Sequence, residues 1–543
     1  MWHALSVTEE TVNDALRQRI REGYAFEGDA VQLGVLYDGV PVADAPIRIP
    51  VSMFNRHGLV AGATGTGKTV TLQVMTEALS RAGVPVFAAD IKGDLSGLAS
   101  PGTSSEKLLA RVAKQGQPWQ PAPFPCEFFA LGGQGIGVPV RASVTSFGPI
   151  LLSKVLGLNQ VQESSLGLVF YYADRAGLPL LDLKDLTALL RFLTSDEGKA
   201  ELKGIGGVSA ATAGVILRNL VTLSEQGGDV FFGEPEFEPS DLLRIAQDGR
   251  GVVSLLELPD LASRPAIFST FLMWLLADLY STLPEVGDLD RPKLVFFFDE
   301  AHLLFNDASK AFLDSITQTV RLIRSKGVGI FFVTQTPKDV PGDVLAQLGS
   351  RVQHQLRAHT PDDAKALRAT VSTFPTSTYD LGEVLQQLGI GEAVVTVMDP
   401  DGVPTPVART RIWAPESAMS PTNPDALRYG VSQSVLMARY GAAVDRDSAY
   451  EMLTRKLQAG AEAAAAEARA QEAAEAERAR QAEWEAQRRR EPASPRPRAT
   501  TTRAPKPEPS IVEQVAQSSA FKQFMRTAAS EIARGLFGTG RRR

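Results

Sequence analysis

The chain has 543 residues, room for about three to four domain-sized pieces at roughly 150 residues each. Its 44% hydrophobic and 22% charged residues, with 46 Gly and 34 Pro, sit near globular averages and exclude wholesale disorder, a collagen and a coiled-coil rod. A single cysteine, Cys126, and five scattered histidines exclude an intramolecular disulfide and a multi-thiolate metal site, and they fit a reducing cytoplasm.

The net charge of −6 is unevenly spread. Residues 488–543 carry 13 Lys/Arg against 4 Glu, a net of +9, which leaves −15 on residues 1–487. A basic tail on an acidic body suits contact with nucleic acid or an acidic surface, and equally a tail that is basic for solubility alone.

In chain order, MWHALSVTEETVNDALRQRI lacks the basic start and apolar run of a signal peptide and reads as a short helix. Residues 31–60 alternate apolar segments with turn residues, so a strand-rich segment is expected there. Continuous apolar runs recur at 84–90, 250–258, 293–300, 327–335, 350–356 and 392–398. Runs of that kind between helical patterns predict a mostly parallel sheet buried on both faces. Between 144 and 245 the pattern is helical, an insertion within the sheet topology. The most apolar stretch, residues 266–280, is 15 residues long with Asp278 inside. It is shorter than the ~20 residues that span a bilayer, so a buried helix and no membrane anchor are expected.

Residues 461–490 hold 13 Ala, 7 Glu and 6 Arg with almost no apolar stripe, a solvated helix at best. Six prolines in 491–510 predict a disordered linker. Phe521, Phe524, Met525, Ala528 and Ile532 then mark one face of a terminal helix, either docking a partner or folding back on its own core. The boundaries expected are 1–50 for the N-terminal helix and strands, 51–143 and 246–415 for the two parts of the core, 144–245 for the helical insertion, 416–490 for a C-terminal helical region, 491–510 for the linker and 511–543 for the basic terminal helix.

Gly62-Ala63-Thr64-Gly65-Thr66-Gly67-Lys68-Thr69 fits GxxxxGK[ST] and stands between an apolar run and a helical pattern. Such a loop turns backbone N–H groups toward phosphates at a helix N-terminus. Lys68 is expected on the β and γ phosphates and Thr69 on Mg²⁺. Val295 to Phe298 lead into Asp299-Glu300, an acidic pair at a strand end: Asp299 for the metal shell, Glu300 to polarise the attacking water. The spacing from Lys68 to Asp299 is 231 residues, far more than a minimal domain needs. Gln335 ends the next apolar run, where an amide can sense the γ-phosphate or merely cap a loop. Arg324 and Arg351 are candidates for the cation that phosphoryl transfer uses, against ordinary salt-bridging roles. Asp90, Lys92 and Asp94 lie by the same edge, as functional groups or as turn chemistry.

HGLVAGATGTGKT, VFAADIKGDLSG, GGVSAATAGVILRNLVTLSEQGGDVFFGEP, LVFFFDEAHLLF, IRSKGVGIFFVTQTPKDVP and FMRTAASEIARGLFG together resemble the bacterial YjgR-type family of HerA-like ATPases, over roughly residues 27–413 and 511–538. The resemblance implies an α/β fold, a three-layer RecA-like P-loop core of the additional-strand (ASCE) type with a helical insertion and a flexible C-terminal tail. It implies ATP with Mg²⁺, a homohexameric ring and translocation of double-stranded DNA, with Arg324 matching the family's arginine before a KxG-type turn. The short N-terminal strands imply that the β-barrel of archaeal HerA is reduced or absent here. The competing reading is an ATP-regulated scaffold that binds a protein partner through the terminal helix.

Overall fold

The computed structural model describes residues 9–202, 206–258, 265–305 and 310–488. The linker expected at 491–510 and the terminal helix expected at 511–543 lie outside them.

Helix α1 (Glu9–Gly23) precedes a hairpin of β1 (Ala30–Asp38) and β2 (Val40–Pro50). Strand β3 (Gly58–Ala61) then feeds the glycine loop and α2 (Lys68–Arg81), followed by β4 (Val86–Asp90), α3 (Glu106–Lys114), β5 (Cys126–Leu131) and β6 (Val138–Val140). Helices α4 (Val144–Val155), α5 (Gln160–Ala176), α6 (Leu183–Thr194), α7 (Asp196–Glu201), α8 (Ala210–Leu223) and α9 (Asp229–Phe231) come before β7 (Val253–Glu257). Next are α10 (Pro265–Thr282), β8 (Leu294–Phe298), α11 (His302–Phe305), α12 (Lys310–Ile323), β9 (Val328–Thr334), α13 (Gly342–Leu345) and β10 (Ser350–Gln353). The remainder is α14 (Pro361–Val371), α15 (Leu381–Gln387), β11 (Glu392–Thr396), β12 (Ala408–Ile412), α16 (Pro424–Ser432), α17 (Met437–Tyr440) and α18 (Ala449–Arg488).

The strands form one 12-stranded sheet in the order β2-β1-β12-β11-β10-β3-β9-β8-β4-β7-β5-β6. From β10 to β6 every pairing is parallel. From β10 back to β2 every pairing is antiparallel. The sheet is therefore mixed, and the N-terminal strands extend it: β1 pairs with β12, so residues 30–50 continue the core sheet.

The continuous apolar runs follow from burial on both faces. In β8, Phe296 and Phe298 pack on the side of the inserted helices, while Val295 and Phe297 pack on the side of α2. Strand β4 divides in the same way, Phe87 and Ala89 against Val86 and Ala88. Helix α10 lies in the first of these layers, with Phe268, Phe271, Trp274 and Leu275 buried. Among the described residues no helix is long and apolar enough to cross a membrane.

The segment after β12 straps α2 to the sheet. The buried Glu77 carboxylate accepts N–H groups from Glu416 and Ser417, and Gln117 and Trp119 donate to the Ala414 and Pro415 carbonyls. Fully buried Asp185 accepts from Leu181 and Asp182 at the start of α6 and from Ser448 and Tyr450 at the start of α18. The described residues up to Gly460 form one compact unit. Beyond it α18 continues, exposed from Glu462 to Gln487.

Phe296 packs against a tilted Phe87 ring and stacks on Phe298, at 5.1 and 5.6 Å between ring centroids. Phe296→Ala is expected to destabilise the unit by about 3–5 kcal/mol, a large aromatic lost from a close-packed core. A lower urea midpoint with an unchanged slope would show it, and an unchanged midpoint would contradict this packing.

Candidate nucleotide site

The loop from Gly62 to Gly67 is built by its neighbours as much as by its glycines. The Gly62 N–H donates to the Thr334 carbonyl (3.2 Å) and the Ala63 N–H to the Gln355 carbonyl (2.9 Å), which ties the loop to the ends of β9 and β10. The Thr66 carbonyl accepts from Gly391 N–H (2.9 Å), and its hydroxyl donates to the Ala63 carbonyl (2.7 Å). Gly67 opens α2 at φ 116°, a conformation that a Cβ strains. At Gly62 a Cβ would also stand 2.5 Å from the His354 Cβ.

His354, which the sequence did not single out, is the floor of this loop. It is fully buried. Its Nδ1 faces the Glu392 carbonyl (2.8 Å), which can only accept, so Nδ1 carries the proton and Nε2 accepts from the Thr71 hydroxyl (2.9 Å). Burial pushes its pKa down to about 4. A lone histidine in QHQLR carries no sequence signal for this role, which depends on β10 lying beside β3.

Lys68, at the first position of α2, is buried, and its ammonium donates to the Gly62 carbonyl (2.7 Å) and the Ala63 carbonyl (3.3 Å). Burial lowers its pKa, opposed by the nearby Glu300 and Asp299. Thr69 follows it, half-buried, in the first turn of α2.

Asp299 and Glu300 leave the end of β8, which is separated from β3 by β9 alone. Asp299 is buried and accepts from the Glu300 N–H (2.9 Å). Burial, and then the Glu300 charge, raise its pKa to about 6. Glu300 has φ +47°, a left-handed conformation costing on the order of 1–3 kcal/mol in a non-glycine residue and concentrated at functional sites. One of its oxygens meets the Lys92 ammonium, and the other lies 3.3 Å from His302 Nδ1.

Gln335 is exposed one residue beyond β9, next to Thr334, whose carbonyl holds Gly62, so it stands at the loop. The arginines do not join it. Arg324 precedes the opposite end of β9, and that strand spans roughly 20 Å at about 3.3 Å per residue. It contacts Asp288 at 3.5 Å, with Arg56 on the same carboxylate at 3.8 Å. Arg324 therefore stays away from its own chain's loop. Arg351 lies early in β10 and donates to the Thr373 carbonyl (2.9 Å). Asp90 does turn chemistry: its carboxylate accepts from the N–H groups of Lys92, Gly93 and Leu95.

A glycine loop opening a helix, with an acidic pair on the next strand but one, defines a P-loop nucleoside triphosphatase with an additional strand between the two motifs. The chain belongs to the helicase HerA-like C-terminal family, whose model matches residues 38–543, and is a HerA-like P-loop ATPase. It is similar to the DNA double-strand break repair helicase HerA of Saccharolobus solfataricus, 22% identical over 389 residues that make up 70% of this chain and 69% of that one. Among solved structures, the bacterial conjugative coupling protein TrwBdeltaN70 in its unbound monoclinic form is 16% identical, covering 75% of this chain and 94% of that one at a TM-score of 0.49. VirB4 of Thermoanaerobacter pseudethanolicus is 14% identical, covering 72% and 98% at a TM-score of 0.46.

The buried neutral His354 makes stability pH-dependent. Its folded pKa of about 4 lies below the ordinary 6.5, so its contribution is complete above pH 6.5 and is lost as pH falls toward 4, up to about 3 kcal/mol at about 1.4 kcal/mol per unit. Thermal melts at pH 7.5 and 5 are expected to separate further in the native chain than in His354→Gln. Equal separations would refute this account.

Proposed function

We propose that this chain is an ATP-driven ring motor that acts on double-stranded DNA, a homohexamer of the YjgR type. The observation that carries the reading is the placement of Lys68, after β3, and the Asp299-Glu300 pair, after β8, at strand ends with only β9 between them, in a chain of the HerA-like family.

ATP lies on the loop 62–69, its phosphates held by backbone N–H groups at the start of α2 and by Lys68. The residues present fit Mg²⁺. Asp299 is a buried carboxylate whose raised pKa a divalent cation reverses, and the Thr69 hydroxyl adds a second hard oxygen. Among the described residues no three acidic, His or Cys side chains gather to hold a metal alone. A magnesium ion shared with phosphates needs only one or two protein ligands. When bound, the metal supplies charge neutralisation to the β and γ oxygens. Glu300 orients the attacking water and draws off its proton, and Gln335 reads the γ-phosphate from the end of β9. Arg324, remote from its own loop, serves the neighbouring subunit's nucleotide.

The DNA part of the reading draws on the HerA relative, and the body's net charge of −15 does not by itself favour a polyanion. That charge favours the second reading, an ATP-regulated scaffold for a protein partner, bound through the basic tail at 511–543.

Steady-state ATPase with duplex DNA, single-stranded DNA or RNA over a salt series separates the two. For the motor, duplex DNA stimulates turnover, the stimulation fades with salt because phosphate contacts release counterions, and Glu300→Gln lowers turnover by about 10²–10⁴-fold. Glu300-dependent turnover indifferent to every nucleic acid overturns the motor in favour of the scaffold.

The arginine has its own test. Arg324→Ala is expected to lower turnover by about 10³-fold or more with ATP affinity unchanged. Mixing it with Lys68→Ala is expected to restore part of the activity, since each chain then supplies what the other lacks. No recovery on mixing would count against service across an interface.

A further inference from the structure

The Lys92–Glu300 pair is more than loop chemistry. The loop after β4 is already held without the Lys92 side chain: Asp90 accepts three of its N–H groups, and the Ser96 hydroxyl closes it on the Gly93 carbonyl (2.8 Å). The ammonium instead crosses to the neighbouring strand end and meets a Glu300 oxygen. The two partners differ in exposure: the Lys92 side chain is 45% exposed and that of Glu300 is 9%.

The consequence for Glu300 is specific. Its Oε1 is engaged by a cation, which takes up one of its lone pairs and competes with a water for that oxygen. Its Oε2 is buried, makes no hydrogen bond and faces His302 Nδ1 at 3.3 Å. A water that approaches Glu300 from the Lys92 side therefore competes with the ammonium for Oε1. Opening the contact from the Lys92 side frees Oε1. The ammonium can leave cheaply, because it is half in water already.

We propose that Lys92 is a positioning residue that restrains Glu300, so that turnover requires the ion pair to open. The proposal rests on the reading of Glu300 as the water-activating acid. It makes the chain a slow ATPase whose rate is set by how often Lys92 is drawn off, whether by screening or by competing negative charge.

The test is steady-state ATPase of the full chain without nucleic acid, comparing native protein, Lys92→Met, Lys92→Arg and Glu300→Gln. Lys92→Met is expected to raise kcat roughly fivefold, the population shift from losing a half-exposed ion pair, with KM for ATP unchanged. Lys92→Arg, which keeps the cation, is expected to stay near the native rate. The native rate is expected to climb from 50 to 400 mM KCl as the pair is screened, and Lys92→Met to be flat. A kcat for Lys92→Met at or below the native value, with Glu300→Gln inactive, overturns the restraint and leaves Glu300 as the catalytic acid. An active Glu300→Gln overturns that assignment and the restraint with it. Melting temperatures check that Lys92→Met folds; were it unfolded, Lys92→Gln would carry the same comparison.

Discussion

Everything at the site depends on one close approach, that of the glycine loop to the ends of β9 and β10. The Gly62 and Ala63 N–H groups are anchored on the carbonyls of Thr334 and Gln355, and His354 fills the floor so tightly that a Cβ at Gly62 would collide with it. Two of the loop's amides are thereby taken up by the sheet. The Thr66 N–H turns back onto the Ala63 carbonyl (3.4 Å), and Gly67 opens α2, whose dipole adds to the loop. His354, locked in one tautomer between Thr71 and the Glu392 carbonyl, couples this floor to β11.

Around that loop the parallel half of the sheet gathers charge at one edge. Asp90, Glu257 and Asp299 end the adjacent strands β4, β7 and β8, and burial raises the pKa of each, Glu257 to about 7 and Asp299 to about 6. Lys68 and Lys92 are the cations among them, and both feel Glu300 and Asp299. An edge so crowded with half-desolvated carboxylates is poorly satisfied by protein alone, and a cation-bearing polyphosphate suits it. The opposite edge carries Arg56 and Arg324 on the single carboxylate of Asp288.

The antiparallel half does different work. Strands β11, β12, β1 and β2 carry the sheet away from the loop and tie the N-terminal segment to the residues after β12, which then strap α2 through Glu77. The helix that bears Lys68 is fixed at one end by the loop and along its length by this strap, so chain segments more than 300 residues apart hold one helix in place.

Much of this was legible without coordinates. Gly62 to Thr69 announce loop, helix start and phosphate chemistry within eight residues, because glycine freedom and helix-end dipoles are local properties. The apolar run into Asp299 and Glu300 likewise announced a doubly covered strand ending in acids. Order within the sheet was not local. That β9 falls between β3 and β8, that β10 turns the next strand antiparallel, and that residues 30–50 join the core follow from pairing energies summed over hundreds of residues. Lys92 reaching Glu300, His354 under the loop, and Arg324 at the far end of β9 are consequences of that order. The sequence by itself thus determined which groups exist and what each can do, since chemistry and backbone preference belong to the residue. Only the tertiary structure decided which groups meet, since every meeting at this site spans a crossover between strands distant in the chain.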